Sequence, residues 1–326
     1  MPVGTLLSVL ESGFHTNFGG LFLLAPYLEY VGIERLLCPM SPDGKESPLL
    51  VSKSLLVMSQ ALLGGKRISR LNYEKDPGIA VACGMNKLPD QSTVHRFLDE
   101  ARMEDVRRVC FLLARRFAEV GLYKGNVLNF DSHLCTYWGK VDMPKDHHPT
   151  RNQPAKGFRV YYFQDQESSV PVYSEVHMTR GAGKDILADM TEVVQEALGP
   201  GTVDLLVFDR GFFKGTLLNR LDKALDVWFI TPMKNYKNRV KEMENIPLGE
   251  FLDTPTGEKI SEISVDLRGY SGKLRLVVLR MEENGLPKYL GYLTNHDGMD
   301  ALVVTEMYSW RWREENLFKA NSFVGL

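Results

Sequence analysis

A short apolar run that ends on an aspartate, Val203 to Phe213, constrains the fold more than any other stretch of this chain. Leu205 to Phe208 has the length and composition of a strand that is buried on both faces. Asp209 then falls at the carboxyl end of that strand, where ligands gather in open α/β sheets. A carboxylate at the end of a buried strand is costly unless water, a hydrogen-bond donor or a cation stabilises its charge. Asp209 is therefore either part of a functional site or a turn residue that caps the next helix.

The composition is that of an ordinary globular protein and excludes several classes. The chain has 326 residues, enough for two domains or for one domain with an insertion, and is 44% hydrophobic and 25% charged. The net charge of -2 offers no bulk positive charge for nucleic acid, so any basic surface must be local. The four cysteines are widely spaced without a Cys-x-x-Cys pair, which indicates reduced residues of a cytoplasmic protein. We expect neither a signal peptide nor a membrane span, because the apolar run from Leu21 to Ala25 is short.

Residues 1–122 have the pattern of a helical region. Leu49 to Leu63 is a strong helix candidate, and Met103 to Val120 predicts a long helix whose arginines form a solvated face more readily than a DNA contact. Between them, Ser92 to Leu98 follows a possible cap at Asp90 or Ser92 and suits a helix-turn-helix. An ordinary capped helix of a bundle explains the same pattern, so DNA binding by this region stays open.

From Gly125 onwards the pattern changes to alternating strands and helices. Val127 to Asp131 is a second short strand that ends on an aspartate. Residues 234–298 alternate and are punctuated by turn residues, which predicts an all-β insertion. The other predicted elements are a polar loop at 140–156, paired strands at 158–163 and 170–178, helices at 185–198 and 215–225, a strand at 227–232 and a final helix at 299–319. This order predicts an α/β fold in which helices flank a mixed sheet.

The final predicted helix completes a possible constellation of acidic residues. Its polar side chains at spacings of three, four and four residues share one face: Tyr308, Arg311, Glu315 and Lys319. If this face packs near Asp131 and Asp209, three carboxylates meet and take up protons unless a cation neutralises them. Oxygen ligands suit Mg²⁺ or Mn²⁺, and two such ions about 3.5–4 Å apart can activate a water or a 3′-hydroxyl in phosphodiester cleavage. Glu315 alone is also explained by a salt bridge to Arg311 or Lys319.

The residues after the second aspartate resemble a known family. Asp209, Gly211 and Phe213 match the spacing found in DDE transposases of the RNase H-like type, specifically the insertion-sequence 4 group. The β insertion before the last helix is also that group's arrangement, as is a helical N-terminal region with a helix such as Ser92 to Phe97.

The final helix carries the rest of the resemblance. Tyr308, Arg311 and Glu315 match the group's Tyr-x₂-Arg-x₃-Glu-x₆-Lys signature. The lysine position of the signature is Ser322 in this chain, and we expect Lys319, one turn beyond the glutamate, to substitute for it.

The resemblance implies an RNase H-like catalytic domain over residues 123–326, interrupted by the insertion at 234–298. It implies a transposase that cleaves DNA at transposon ends and transfers the 3′-hydroxyl into target DNA. Asp131, Asp209 and Glu315 would hold Mg²⁺ or Mn²⁺, with two ions expected. The protein would act as a homodimer on DNA, in the cytoplasm and at the nucleoid when bound, without a membrane partner.

Several basic residues are candidates for DNA contact under the same resemblance. Tyr308 and Arg311 would hold phosphates near the scissile bond, and a guanidinium fork is suited to that task. Lys319 is a further candidate for DNA binding. Lys156 and Arg159 lie beside the predicted loop after the first aspartate and could bind backbone phosphates. Arg210, next to Asp209, is a further candidate.

Two alternatives use the same residues differently. A catalytically inactive DNA-binding remnant would keep the fold without turnover, and an RNase H-like nuclease would cleave without strand transfer. Leu326 lies eleven residues after Glu315, where related proteins continue. A C-terminally truncated copy, in which the helix of Glu315 is poorly held, is therefore part of the hypothesis.

Overall fold

The computed structural model describes residues 11, 13–40, 47–65, 68, 76–148, 153–178, 183–234 and 236–311. These residues divide into two compact units, the first made of those up to Gly121 and the second of those from Leu122 onwards.

All described secondary-structure elements of the first unit are helical. Its helices are α1 (Ala25–Val31), α2 (Ile33–Leu36), α3 (Pro48–Leu62), α4 (Pro77–Ala82), α5 (Gln91–Glu100) and α6 (Met103–Glu119), with 3₁₀ turns at Gly19–Leu24 and Cys38–Met40. Leu56, Ile79 and Val94 are buried together in its core, so α3, α4 and α5 pack around one apolar cluster. Asp90 takes the position before α5, but its side chain accepts no capping hydrogen bond.

The second unit is built on one mixed sheet. Its strands are β1 (Val127–Thr136), β2 (Lys145–His148), β3 (Gln153–Asp165), β4 (Pro171–His177), β5 (Leu205–Phe208), β6 (Trp228–Pro232), β7 (Leu252–Asp253), β8 (Lys259–Asp266), β9 (Lys273–Glu283) and β10 (Leu286–Thr294). The strand order is β2-β3-β1-β5-β6-β10-β9-β8-β7, and β4 also pairs with β3. Strands β1, β5 and β6 are parallel, whereas β3 and β4 run antiparallel to their neighbours. The sheet is mixed, as predicted for an RNase H-like fold.

Helices cover both faces of this sheet. The helices of the unit are α7 (Gly183–Leu198), α8 (Gly215–Lys223), α9 (Lys237–Glu244) and α10 (Ala301–Trp310). Val207 packs in one core cluster with Val304 of α10, while Leu206 and Phe208 point to the other face and are also fully buried. The fold class predicted from the sequence, α/β with a mixed sheet flanked by helices, is confirmed. No helix in the described part of the chain is long and apolar enough to cross a membrane.

The predicted insertion extends the main sheet. Strand β10 pairs antiparallel with β6, through Thr231 and Leu293, and β9, β8 and β7 follow in order. The insertion begins with helix α9, so it is mostly but not entirely β. Its β8–β9 turn lies against α8, where Tyr270 donates a hydrogen bond to Asp222.

Two predictions about the region after Asp131 are wrong. Strand β1 does not end at Asp131, because its pairing with β3 continues from Asp131–Tyr162 to Thr136–Gly157 after its pairing with β5 has stopped. The predicted loop at 140–156 contains β2, which pairs with the first residues of β3. The polar composition that predicted a loop belongs here to a ribbon with exposed residues.

Candidate active site

Asp131 and Asp209 lie side by side where the parallel pairing of β1 and β5 ends. The two strands are in register up to Phe130 and Phe208, and the next residue of each strand is the aspartate. Neighbouring strands are about 4.8 Å apart, so the two carboxylates leave the backbone from adjacent positions. Val207 faces α10, and the alternation of side chains puts both aspartates on that same face.

Asp131 is a partly buried carboxylate with two hydrogen-bond donors. Its Oδ1 accepts from the backbone N–H of Ser132 at 2.7 Å, and its Oδ2 accepts from Arg311 Nη1 at 3.0 Å. The side chains of Arg311 and Asp131 are 15% and 24% exposed. Burial raises the pKa of Asp131 above its ordinary value; Arg311 and the Ser132 N–H oppose this rise, and the charge of Asp209 adds to it. The ionised form of the Asp131 carboxyl group would therefore be stabilised by further positive charge nearby.

Asp209 has the capping role that the sequence left open. It precedes the 3₁₀ turn Arg210–Phe212, and its Oδ2 accepts from the Gly211 N–H at 3.2 Å. The ring of Phe212 packs edge-on against Phe130 with centroids 4.8 Å apart, which fixes the turn beneath the sheet. The cap holds the carboxylate at the strand end, so a capping role and a ligand role are compatible.

Helix α10 brings Tyr308 and Arg311 to the same edge of the sheet. Asp300 Oδ1 caps the helix by accepting from the Leu302 N–H at 2.8 Å. Farther along, Gln166 Nε2 donates to the Met307 carbonyl at 2.6 Å and ties the helix to the end of the β3–β4 hairpin. The Gln166 contact holds the C-terminal end of α10, which carries Tyr308 and Arg311.

The two side chains at the end of α10 stack on each other. The guanidinium carbon of Arg311 lies 5.4 Å from the centroid of the Tyr308 ring, and that ring lies 5.1 Å from the ring of Tyr292. Burial raises the pKa of Tyr308 to about 12, with Arg311 opposing the rise and Asp209 adding to it. At neutral pH the Tyr308 hydroxyl is therefore protonated and is a hydrogen-bond donor. We call Asp131, Asp209, Tyr308 and Arg311 the edge cluster.

Two of the other basic candidates, Arg159 and Lys156, pair with carboxylates outside the edge cluster. Arg159 donates to Asp146 Oδ2 at 2.5 Å and to Ser132 Oγ at 2.9 Å. It is in register with Leu134, so it sits on the face opposite Asp131. Lys156 lies 3.8 Å from Asp142 Oδ1, and Arg210 is exposed. Glu315 and Lys319 lie outside the described residues.

The sequence prediction missed a buried amide next to Asp131. Asn129 is 1% exposed, and within the described residues neither atom of its amide has a hydrogen-bond partner. It lies in register between Val207 of β5 and Gln164 of β3. The signal was present, since Asn129 interrupts an apolar strand two residues before the aspartate and on its face.

The two aspartates fit part of a site for a divalent cation. Adjacent carboxylates supply the hard oxygen ligands that Mg²⁺ and Mn²⁺ prefer, and Arg311 supplies the neutralising charge in this structure. Among the described residues, no group of three or more His, Cys, Asp or Glu side chains is arranged to hold a metal. A third ligand of these four residue types would have to come from outside those residues.

Comparison with known proteins adds a distant structural likeness. No family model matches the chain, and no curated protein matches it. Solved structures that match include the cryo-EM structure of a piggyBac transposase synaptic complex with hairpin DNA, at 11% sequence identity and a TM-score of 0.46. The match covers 86% of this chain and 61% of that one, so the chain spans about three fifths of the length of that structure.

Proposed function

We propose that this chain is a DDE transposase of the insertion-sequence 4 group. It would cleave DNA at transposon ends and transfer the 3′-hydroxyl into target DNA. The observation that carries the proposal is the placement of Asp131 and Asp209 side by side at the ends of parallel strands, on the face where α10 delivers Tyr308 and Arg311. In this proposal residues 123–326 are the catalytic domain, with the insertion at 234–298, and residues 1–122 are a helical region available for DNA binding.

Asp131, Asp209 and Glu315 would hold two Mg²⁺ or Mn²⁺ ions. Glu315 follows Arg311 by four residues, which is the spacing of one helical turn. When bound, the ions supply the Lewis acid that activates the attacking oxygen and stabilises the leaving oxygen in phosphodiester cleavage.

The remaining members of the edge cluster would bind and orient the DNA strand. The guanidinium of Arg311 forms a planar fork that matches a phosphate, and the Tyr308 hydroxyl is a donor that stays protonated at neutral pH. Lys156, Arg159, Arg210 and Lys319 would contact backbone phosphates at a greater distance from the reacting bond. Because the chain carries a net charge of -2, these contacts must come from local basic groups.

DNA is the proposed partner, both as transposon ends and as target. We propose a homodimer on DNA, acting in the cytoplasm and at the nucleoid when bound. Two alternatives share the site: an RNase H-like nuclease that cleaves without joining, and a DNA-binding remnant without turnover.

A plasmid assay tests the proposal. The substrate is a supercoiled plasmid that carries the gene with its flanking DNA, incubated with the full chain and Mn²⁺. We expect nicking by the wild type and none by Asp131→Asn or Asp209→Asn. The control is Asp253→Asn, which alters a carboxylate that is 80% exposed in the insertion and should leave nicking unchanged.

The outcomes separate the candidates. Nicking that survives in Asp209→Asn contradicts the proposed site. Nicking without joining of a pre-cleaved, labelled DNA end to the plasmid favours the nuclease. DNA binding without nicking by the wild type favours the remnant.

A further inference from the structure

Asn129 is a buried polar side chain that the proposed chemistry does not use. Its side chain is 1% exposed, and neither its amide nitrogen nor its amide oxygen has a hydrogen-bond partner among the described residues. Across the strand pair, Gln164 Nε2 donates to the Ser169 carbonyl at 2.9 Å, whereas Gln164 Oε1 is also without a partner. Buried amides are nearly always hydrogen-bonded, so an unmatched one calls for an explanation.

The position of Asn129 brings its amide within reach of Asp131. The two residues are separated by one residue of a continuously paired strand, so their side chains lie on the same face. Two residues of a strand rise about 6.6 Å, which two short side chains and one hydrogen bond can span. In the described structure Asp131 is instead held by Arg311 and the Ser132 N–H.

Arg311 occupies the carboxylate of Asp131 that a bound divalent cation would need. A guanidinium that is ion-paired to Asp131 neutralises the charge that would attract the metal. The same guanidinium is the group suited to a DNA phosphate. If Arg311 turns to the phosphate, Asp131 loses a donor and needs another that fixes its orientation without cancelling its charge.

We propose that Asn129 is a positioning residue that donates this replacement hydrogen bond to Asp131 when Arg311 moves to a DNA phosphate. A neutral amide orients the carboxylate and leaves it anionic for the metal. The amide of Asn129 then lacks a partner in the DNA-free state because its acceptor, Asp131, becomes available only when DNA is bound. This inference rests on the proposed function, because it needs both a phosphate for Arg311 and a metal at Asp131.

The test replaces the amide by an apolar group of similar size, Asn129→Leu, in the full chain. The control is Thr231→Val. Thr231 is also fully buried, and its Oγ1 has no hydrogen-bond partner among the described residues. Its neighbour Ile230 packs with α10, so Thr231 lies on the opposite face of the sheet from α10 and Asp131. Thermal unfolding is measured without metal. Free Mn²⁺ is then measured by electron paramagnetic resonance, with and without a short duplex of the flanking DNA.

We expect both substitutions to raise the melting temperature, because each removes an unsatisfied buried polar group. We expect Asn129→Leu alone to weaken Mn²⁺ binding, by roughly 10- to 100-fold and only with DNA present. Unchanged Mn²⁺ affinity with DNA overturns the inference. A lower melting temperature for Asn129→Leu also overturns it, because the amide would then be bonded in the resting fold. If the leucine variant does not fold, Asn129→Ala takes its place in the Mn²⁺ measurement.

The Mn²⁺ measurement separates this inference from the proposed function. If the wild type binds Mn²⁺, Asp209→Asn abolishes that binding and no DNA is cleaved, the transposase proposal is contradicted. The role of Asn129 is then still tested by the Mn²⁺ affinity of Asn129→Leu. If the wild type does not bind Mn²⁺, both the proposed function and the role of Asn129 are contradicted.

Discussion

Arg311 Nη1 lies 3.0 Å from Asp131 Oδ2 and joins two residues that are 180 positions apart in the chain. The bond links the end of α10 to β1, an interior strand of the sheet. It also places the one cation of the edge cluster directly on a carboxylate whose pKa is raised by burial. The same contact therefore bears on both stability and the proposed chemistry.

Removing this guanidinium should destabilise the fold. Arg311→Ala leaves the partly buried Asp131 without its charged donor and removes the stacking on Tyr308, so we expect a loss of about 2–3 kcal/mol in the free energy of unfolding. Urea unfolding measures it. The control is Arg115→Ala, whose 63% exposed side chain lies 3.5 Å from Glu119, and we expect it to change stability by less than about 0.5 kcal/mol. Equal effects of the two substitutions would contradict a structural role for the Asp131 bond.

Tyr308 should make the folded state sensitive to alkali. Its pKa is raised to about 12 in the folded state, against about 10 in an unfolded chain. The folded state therefore binds more protons in this window, so stability falls as the pH rises from about 10 to about 12. Tyr308→Phe should remove a pH-dependent loss on the order of 2 kcal/mol. Melting curves of wild type and variant across this range measure the difference, with Tyr236→Phe, at an exposed ring, as the control.

Gly215 should not tolerate a side chain. A Cβ at this position would lie 2.1 Å from the Arg268 carbonyl oxygen and 3.0 Å from its carbon, so the β8–β9 turn would have to move away from α8. We expect Gly215→Ala to cost about 1–3 kcal/mol, measured by denaturant unfolding. Gly249→Ala is the matched control, because no atom lies within 4 Å of the added Cβ and its backbone φ is not positive. Equal stability of the two variants would show that the turn does not rest on α8.

Mn²⁺ should stabilise the wild type and not Asp209→Asn. A ligand that binds only the folded state at one hundred times its dissociation constant contributes about 2.7 kcal/mol. We expect a rise in melting temperature on adding Mn²⁺ that EDTA reverses and that Asp209→Asn abolishes. Asp253→Asn should keep the full rise, since that side chain is 80% exposed. A metal effect that persists in Asp209→Asn would place the binding site elsewhere.

Much of the fold follows from local sequence patterns. The run from Leu205 to Phe208 predicts a buried strand because every residue is apolar and the run is too short for a helix, and all four residues are buried in the structure. The spacing of Tyr308 and Arg311 predicts a shared helix face, and the two side chains do stack. Such features depend on neighbours within a few residues, so the sequence alone contains them.

Features that depend on distant partners could not be predicted in the same way. Nothing local to Asp131 indicates that β1 continues to Thr136, because that pairing is decided by β3. The contact of Arg311 with Asp131 requires the placement of α10 on the sheet, which the hydrogen bond from Gln166 to the Met307 carbonyl helps to set. Polar composition at 140–156 favoured a loop, yet a polar ribbon satisfies its backbone by pairing with another strand.

The attachment of β10 to β6 also changes which backbone groups the sheet leaves open to other chains. With β5 on one side and β10 on the other, β6 exposes no unpaired edge. That end of the sheet in the described residues is instead closed by β7, only two residues long. Very short edge strands are one way in which proteins avoid pairing edge to edge with other chains. The insertion thus places a two-residue strand at this edge of the sheet, where the parallel strands alone would leave β6 unpaired on one side.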